Sequence, residues 1–226
     1  MYRRRGQTLV RFSLERGVNV LVDVGANEGQ YAASIRALGF NGQIISFEPL
    51  DGALPTLRNR CVNDGDWQFH QLAIGDRNAE AIIKVAGNLE SSSILPMMDV
   101  HVDAYPESKY VAEQKVNVTR LDSILPGNLK GGEKDRLMLK LDVQGYELKA
   151  LHGADGIFDQ VEIVDIEVSL LPLYEGQPSL VELINFFETR GFIPVSFENA
   201  FTDPRNGHAL QVDAVFMRGG DRNAMA

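Results

Sequence analysis

The chain has 226 residues, of which 44 % are hydrophobic and 23 % are charged, as is usual for an ordinary globular protein. Its net charge is -9, and an acidic surface repels phosphate backbones, so we expect no nucleic-acid partner. The only basic cluster in the sequence, residues 3–5, is expected to be a solvated terminus. The single cysteine, Cys61, excludes an intrachain disulfide, and no apolar run approaches the roughly 18 residues that span a bilayer. Both features favour a cytoplasmic protein without a membrane partner.

The first third of the chain alternates apolar runs with amphipathic segments. A helix is expected over residues 1–17. Three apolar runs predict buried strands, over residues 18–24, 43–47 and 68–74. Apolar residues at helical spacing predict helices between these strands, over residues 29–38 and 50–61.

The rest of the chain continues this alternation. Two segments are strand-like but more polar, residues 80–86 and 115–119. Further strands are predicted over residues 136–142, 161–168, 192–197 and 210–217, with helices over residues 147–151 and 179–190. The pattern predicts one Rossmann-like α/β domain over residues 1–226, with a mostly parallel, doubly wound sheet and a ligand crevice at the carboxyl ends of its strands. Loops 88–113 and 169–178 would overhang this crevice, and residues 219–226 would form a frayed tail.

The turn after the first predicted strand carries Asp23, Gly25, Asn27 and Gly29. Small residues there let a ligand approach the backbone at the start of a helix. The glycine spacing is G-x-x-x-G, which departs from the G-x-G-x-x-G that makes room for a dinucleotide pyrophosphate. This spacing disfavours a nicotinamide-dependent oxidoreductase, and Asp23 lies where a ligand's ammonium group would be favoured over a pyrophosphate.

Glu48 ends the second predicted strand, which should lie beside the first. A carboxylate there can accept hydrogen bonds from both hydroxyls of a ribose. Together with Asp23, Gly25 and Gly29, it suits a nucleoside that carries an amino acid and no phosphate, a description that matches S-adenosylmethionine. The alternative is a plain strand-to-helix turn followed by a solvated acid.

Several segments resemble the FkbM-type methyltransferases, and the resemblance covers most of the chain. The most telling segment is Lys-x-Asp-x-x-Gly-x-Glu, over residues 140–147. The full set of matching segments is residues 23–29, 46–49, 72–76, 91–93, 139–147, 172–177 and 211–213.

The resemblance implies a class I methyltransferase fold with an antiparallel edge strand near the C-terminus. It also implies O-methylation, often of sugars or of natural products that carry sugars. The cofactor residues that it implies are Asp23, Gly25, Asn27, Gly29 and Glu48, with Ala73 or its neighbours beside the adenine.

Alternation along two later strands puts Lys140 with Asp142, and Asp165 with Glu167, on shared faces. Buried charges need partners, so we expect these groups to meet at the strand ends, where Asp142 would also contact the cofactor. The alternative is an ion-pair network that only fixes two strands. The functional hypothesis makes Lys140, Asp142 and Glu167 catalytic, because a sugar hydroxyl is a poor nucleophile without a base or a metal.

Two routes to an activated hydroxyl stay open. Asp142 and Glu167 could hold Mg²⁺ through oxygen ligands, and the metal would lower the pKa of the hydroxyl. Lys140 could instead be the base, if burial lowers its pKa. The four histidines show no zinc-ligand spacing, and His101 is a weaker candidate base than Lys140.

Acceptor contacts are predicted in the loop that follows residues 161–168, where Tyr174 offers an aromatic face and Gln177 an amide. The alternative is a loop packed on its own side chains. The expected partner is a small-molecule or oligosaccharide acceptor, and a homo-oligomer is compatible with the sequence. Methylation of another small-molecule hydroxyl and a non-catalytic S-adenosylmethionine-binding module are also open, although a binding module has no need of the acid clusters.

Overall fold

The computed structural model describes residues 2–219. The α-helices are α1 Tyr2–Arg16, α2 Gln30–Ala37, α3 Leu54–Asp64, α4 Asp99–Ala104, α5 Leu121–Ile124, α6 Glu147–His152 and α7 Leu180–Glu188. The β-strands are β1 Val20–Val24, β2 Gln43–Phe47, β3 Trp67–His70, β4 Ala73–Ile74, β5 Ala79–Ala86, β6 Tyr110–Thr119, β7 Leu137–Leu141, β8 Val161–Ser169, β9 Phe192–Thr202 and β10 Ala209–Arg218. Apart from Gly219, the predicted tail lies outside the described residues.

The described residues form a main sheet of seven strands in the order β3-β2-β1-β7-β8-β10-β9. β1 pairs in parallel with β2 and β7, and β7 pairs in parallel with β8. This arrangement confirms the predicted α/β class and the mostly parallel sheet. The reversal of strand order next to β1 creates a crevice at the carboxyl ends of β1 and β7.

The antiparallel strand near the C-terminus is present, but it does not lie at the edge of the sheet. β10 pairs antiparallel with both β8 and β9, so that β9 forms the edge. β9 and β10 are consecutive along the chain, and β10 folds back between β9 and β8. The start of β10 therefore faces the same crevice as the ends of β7 and β8.

Helices cover both faces of the central strands, which explains the continuous apolar runs of these strands. Leu21 of β1 packs in a cluster with Leu9 of α1 and Ile35 of α2. Val22, the next residue, packs on the opposite face in a cluster with Leu183 of α7. Successive side chains of a strand alternate between faces, so each face needs its own layer of helices.

The predicted strand over residues 68–74 is two strands in two sheets. β3 joins the main sheet beside β2, whereas β4 pairs with β6 in a small sheet of order β4-β6-β5. The chain turns between them, where the amide of Leu72 donates to the carbonyl of His70 at 3.0 Å. The two polar strand-like segments of the sequence belong to this small sheet, as β5 and β6.

The helix α3 begins four residues later than the start predicted at residue 50. The intervening residues form a turn, in which the amide of Leu50 donates to Glu48 Oε1 at 2.9 Å. Pro55 then occupies the first turn of α3, where its missing N–H costs nothing. Across residues 2–219, no helix combines the length and the apolar character that crossing a membrane requires.

Candidate functional site

A cavity of about 810 Å³ opens at the carboxyl ends of the parallel strands, as the sheet topology predicts. Its walls run from the end of β2 to the end of β9. These strands are five positions apart in the sheet, which corresponds to roughly 24 Å at the usual strand spacing. A cavity of this volume lies in the range that binds cofactors and small-molecule substrates.

Gly25, directly after β1, is part of the cavity wall. Its φ is +78°, and an added Cβ would lie 1.9 Å from the backbone oxygen of Asp142. The amides of Gly25 and Ala26 donate to the carbonyl of Phe47 at 3.0 and 3.1 Å, which ties the turn to β2. Only glycine fits this backbone, because a side chain would collide with the backbone of Asp142, and the backbone of Gly25 itself lines the cavity.

Glu48 forms the adjacent part of the wall and is 5 % exposed. Its Oε2 accepts from the amide of Asn27 at 2.7 Å, and its Oε1 accepts from the amide of Leu50. Burial raises the pKa of Glu48 to about 7, against the lowering effect of these two hydrogen bonds. Each carboxylate oxygen keeps a second lone pair that can accept a hydroxyl hydrogen from the cavity.

The predicted cofactor residues separate into two groups. Those that line the cavity are Gly25, Asn27, Glu48, Ala73 and Asp142. Gly29 instead packs inside the protein, where an added Cβ would lie 2.8 Å from Cζ2 of Trp67. Asp23 lies behind the cavity wall and is 0 % exposed.

The Asp23 carboxylate is buried with neither oxygen accepting a hydrogen bond from any described residue. Burial raises the pKa of Asp23 to about 6, and the nearby Lys140 ammonium partly opposes that rise. Asp23 and Lys140 are partners in the register of β1 and β7. The charge of Asp23 therefore helps to raise the pKa of Lys140 from behind the cavity wall.

The structure brings together the three side chains that the sequence nominated for chemistry. Lys140 Nζ lies 3.0 Å from Asp142 Oδ2. The amide nitrogen of Gln144 bridges the acids, since it donates to Asp142 Oδ1 at 2.7 Å and to Glu167 Oε2 at 2.8 Å. Gln211 also donates to Glu167 Oε2, at 2.6 Å. Sequence reasoning missed both glutamines, although Gln144 lies within the motif of residues 140–147.

The protonation state of Lys140 differs from the one that a catalytic base requires. Burial by itself would lower the pKa of Lys140, but Asp142, Asp23 and Glu167 raise it above its ordinary value. The condition under which Lys140 could be the base, a pKa lowered by burial, is therefore not met, and Lys140 stays a cation. Burial raises the pKa of Glu167 well above its ordinary value, and the neighbouring Asp142 and Asp213 add to the rise.

The structure does not support the magnesium site predicted at Asp142 and Glu167. The amide hydrogens of Gln144 point at both carboxylates, and a donor between two acids competes with a cation for the same lone pairs. Over the described part of the chain, no three His, Cys, Asp or Glu side chains are grouped so as to hold a metal ion. Two carboxylates with amide partners form a hydrogen-bonded network in place of a metal cage.

Comparison with known proteins identifies the family. The sequence profile of the methyltransferase FkbM domain matches residues 23–194. The chain belongs to the FkbM methyltransferase family. The matched residues include both the Gly25 turn and the Lys140–Asp142 pair, whereas the part of the cavity wall formed by Phe201, Gln211 and Asp213 lies beyond the matched range.

Individual relatives agree with this assignment. A 2-O-methyltransferase, NoeI of Sinorhizobium fredii, is 24 % identical over 194 residues, which cover 82 % of this chain and 79 % of that protein. The crystal structure of the methyltransferase FkbM from Methylobacillus flagellatus KT matches with a TM-score of 0.57 and 15 % identity. That match covers 88 % of this chain and 43 % of the crystallised chain, so this protein spans less than half of its length.

A putative RNA methyltransferase from Pyrococcus horikoshii, PH1948, has a TM-score of 0.50 at 13 % identity, over 98 % of this chain and 83 % of that one. At such identities the structural likeness shows the fold alone, which is the class I methyltransferase fold. Family and fold together make this chain a methyltransferase.

Tyr174 and Gln177 do not line the cavity of this FkbM-family methyltransferase, which corrects the predicted acceptor contacts. Tyr174 is 0 % exposed, and its hydroxyl lies 2.7 Å from Gln144 Oε1 and 3.1 Å from the carbonyl of Ser91. Gln177 Oε1 accepts from the amides of Leu173 and Tyr174. Tyr174 packs against Ala104 of α4 and Leu210 of β10, so it supports the site from behind the cavity wall.

Arg5 reaches the same FkbM-family site from α1, although the sequence suggested a solvated terminus. Its guanidinium pairs with Asp165, and its Nη1 lies 3.2 Å from Asp213 Oδ2. The hydroxyl of Tyr31 donates to the other oxygen of Asp165 at 2.7 Å. The signal that could have revealed Arg5 is its position four residues before the buried Leu9, on the same face of the helix.

Proposed function

We propose that this methyltransferase transfers a methyl group from S-adenosylmethionine to a hydroxyl oxygen of a sugar, glycoside or glycosylated natural product. One observation carries the proposal: a single cavity joins a wall suited to a nucleoside with a partly buried carboxylate, Glu167, suited to a hydroxyl proton. The 2-O-methyltransferase among the relatives supports transfer to oxygen.

The cofactor end of the cavity fits S-adenosylmethionine. The backbone of Gly25 lines the cavity at the end of β1, and Glu48 presents carboxylate lone pairs at the end of β2, where ribose hydroxyls can donate. The glycine spacing of this turn is G-x-x-x-G, and it lacks the G-x-G-x-x-G spacing of a pyrophosphate-binding loop. When bound, this cofactor supplies a methyl group activated by a positively charged sulfur.

The acid end of the cavity fits removal of a hydroxyl proton. We assign Glu167 as the base, because its carboxylate lines the cavity between the cofactor wall and the far end, and burial raises its pKa above the ordinary value, which makes it a stronger proton acceptor. Gln144 and Gln211 both donate to Oε2 of Glu167, which orients the carboxylate and leaves Oε1 for the acceptor. When the methyl group passes from the sulfur of the bound cofactor to the acceptor oxygen, the S–C bond would break and leave S-adenosylhomocysteine, and Glu167 would take the proton of the hydroxyl.

Lys140 and Asp142 serve as a fixed charge pair beside the base. The Lys140 ammonium lowers the pKa of Glu167, and so opposes the rise that burial and the neighbouring acids cause. Positioning dominates methyl transfer, which is an in-line displacement. The acidic chain, with its net charge of -9, favours a neutral acceptor over a polyanion.

The test measures transfer of isotope-labelled methyl from S-adenosylmethionine to a panel that holds neutral glycosides, a catechol and an RNA oligonucleotide. We expect labelled ether on the glycosides and none on RNA. Glu167→Gln should lower kcat about 10²–10⁴-fold with cofactor affinity retained. Glu162→Gln is the matched control, since Glu162 lies at the opposite end of β8 and outside the cavity. Labelling confined to the catechol or to RNA would overturn the sugar assignment.

A further inference from the structure

The cavity has a second end, which the cofactor residues do not reach. Gly25, Glu48 and Ala73 belong to the β1–β2 side, whereas His101 and Tyr105 come from α4 and its C-terminus and Phe201 comes from β9. Glu167 lies between the two ends, on β8. A ligand bound at the second end would therefore place a hydroxyl against Glu167 without displacing the cofactor.

Aromatic rings form the wall of this second end. The ring centres of His101 and Phe201 are 5.6 Å apart, and those of Tyr105 and Phe201 are 6.3 Å apart. Tyr105 is 40 % exposed, so its ring is accessible to a ligand that enters the cavity. Flat aromatic faces at the mouth of a cavity bind the apolar C–H face of a ring-shaped ligand.

Polar groups next to these rings suit hydroxyls. Asp213 and Gln211 of β10 line the cavity, and Asp213 is the partly exposed acid of the Arg5 network. The Nδ1 atom of His101 is buried and has no hydrogen-bond partner among the described residues. Burial lowers the pKa of His101 to about 4, so the imidazole is neutral at physiological pH. The wall thus offers hydrogen-bonding groups without a free cation for a phosphate or sulfate.

We infer that His101, Tyr105 and Phe201, with Asp213 and Gln211, form the acceptor subsite, and that it binds the ring of a neutral pyranoside. The inference rests on the proposed function and specifies its substrate class. The ring would stack on Tyr105 and Phe201, while its hydroxyls would reach the carboxylates of Asp213 and Glu167. The loop residues Tyr174 and Gln177 are excluded from this subsite, because they do not line the cavity.

The test compares Tyr105→Ala and Phe201→Ala with wild type, using a methyl pyranoside as acceptor. We expect KM for the pyranoside to rise at least about tenfold, while kcat and the Kd of S-adenosylmethionine stay within twofold. Phe197→Ala is the matched control: Phe197 lies on the same strand, is exposed, and is outside the cavity. Saturation-transfer NMR of the pyranoside gives a readout that does not depend on turnover, and both cavity variants should lose its signal.

The outcomes separate the inference from the proposed function. Methylation of pyranosides with an unchanged KM and an unchanged NMR signal in both variants would overturn the subsite and leave the function standing. A wild-type enzyme that methylates no glycoside would overturn both. If Phe201→Ala fails to fold, as judged by circular dichroism, the exposed Tyr105 still decides the question, and Phe201→Tyr should restore the KM.

Discussion

The hydroxyl of Tyr174 lies 2.7 Å from the amide oxygen of Gln144, and this contact determines which end of the Gln144 side chain faces the acids. A phenol that donates to Oε1 leaves Nε2 to bridge Asp142 and Glu167. Tyr174 itself is fully buried, so its influence on the reaction passes through Gln144.

Tyr174→Phe should therefore lower kcat by about fivefold to tenfold, the value of one hydrogen bond of ~1 kcal/mol. The affinity for S-adenosylmethionine should stay within twofold, because Tyr174 does not line the cavity. Steady-state kinetics with saturating cofactor measure both quantities. Tyr110→Phe is the control, since Tyr110 donates to the carbonyl of Leu95 away from the acids. An unchanged kcat in Tyr174→Phe would show that Gln144 keeps its orientation without the phenol.

Glu48→Ala should weaken S-adenosylmethionine binding by about 1–3 kcal/mol, because it strands the ribose hydroxyls and the amides of Asn27 and Leu50. Isothermal titration would then record a Kd about 5- to 150-fold higher. Glu80→Ala, an exposed acid of β5, should leave the Kd unchanged. If Glu48→Ala also binds as wild type does, Glu48 has no part in the cofactor site.

The affinity of wild type for S-adenosylmethionine should also depend on pH near 7. Burial raises the pKa of Glu48 to about 7, so the carboxylate is protonated below that value and accepts hydrogen bonds less well. We expect the Kd to fall as the pH rises from 6 to 8, and Glu48→Gln should remove most of this dependence. A Kd for Glu48→Gln that falls as steeply as that of wild type would attribute the effect to another group.

The sequence predicts the central sheet well because the information there is local. The segments that form β1, β2, β7 and β8 carry apolar residues on both faces, and each parallel strand is followed by a helix or a turn. The turn at Gly25 is equally readable, since glycine is needed for its backbone. These elements fix the position of the cofactor wall and of the Lys140–Asp142 pair.

The rest of the site depends on contacts between segments that are distant along the chain. Arg5 and Asp165 are 160 residues apart, and no local pattern shows that a basic residue at the start of a helix meets a buried acid. The loop around Tyr174 has no periodicity, so the sequence could not show whether the ring points into the cavity or away from it. The sequence also could not show that residues 67–74 are divided between two sheets, because both halves of that segment are apolar enough to join either sheet.

Metal removal should leave the enzyme fully active. The carboxylates of Asp142 and Glu167 share the amide of Gln144, and Lys140 supplies the positive charge that a divalent cation would otherwise provide. Turnover measured after dialysis against EDTA should equal turnover before it, and added Mg²⁺ should change neither kcat nor KM. A loss of activity in EDTA that Mg²⁺ reverses would restore the metal hypothesis.

Asp23 should make the protein less stable as the pH rises. Its pKa is about 6 in the folded protein, against an ordinary value of 3.8, so the folded state holds the proton longer than the unfolded state. This difference corresponds to ~3 kcal/mol that is present below pH 4 and lost as the pH passes 6. The asparagine of Asp23→Asn does not titrate, so this variant lacks the loss of stability with rising pH that Asp23 causes. Urea unfolding should thus show the stability of Asp23→Asn relative to wild type increasing between pH 4 and pH 7, and a constant difference would contradict the assignment.

Arg5→Ala should destabilise the protein strongly, because it removes the cation that compensates the buried Asp165. Breaking a buried pair from one side costs about 3–5 kcal/mol, since the remaining charge stays without a partner. The loss should be larger at pH 8 than at pH 5. Without Arg5 the pKa of Asp165, which burial already raises, moves further up, so that at lower pH the carboxyl takes a proton and needs no cation.

Arg4→Ala is the matched control for this prediction, because Arg4 is the adjacent residue of the same helix and its side chain is exposed. Urea unfolding of both variants at pH 5 and pH 8 provides the comparison, with wild type at each pH as reference. We expect a change within about 0.5 kcal/mol for Arg4→Ala at either pH. Equal and small losses in the two variants would mean that α1 contributes only its apolar face, and that Asp165 is held by Tyr31 alone.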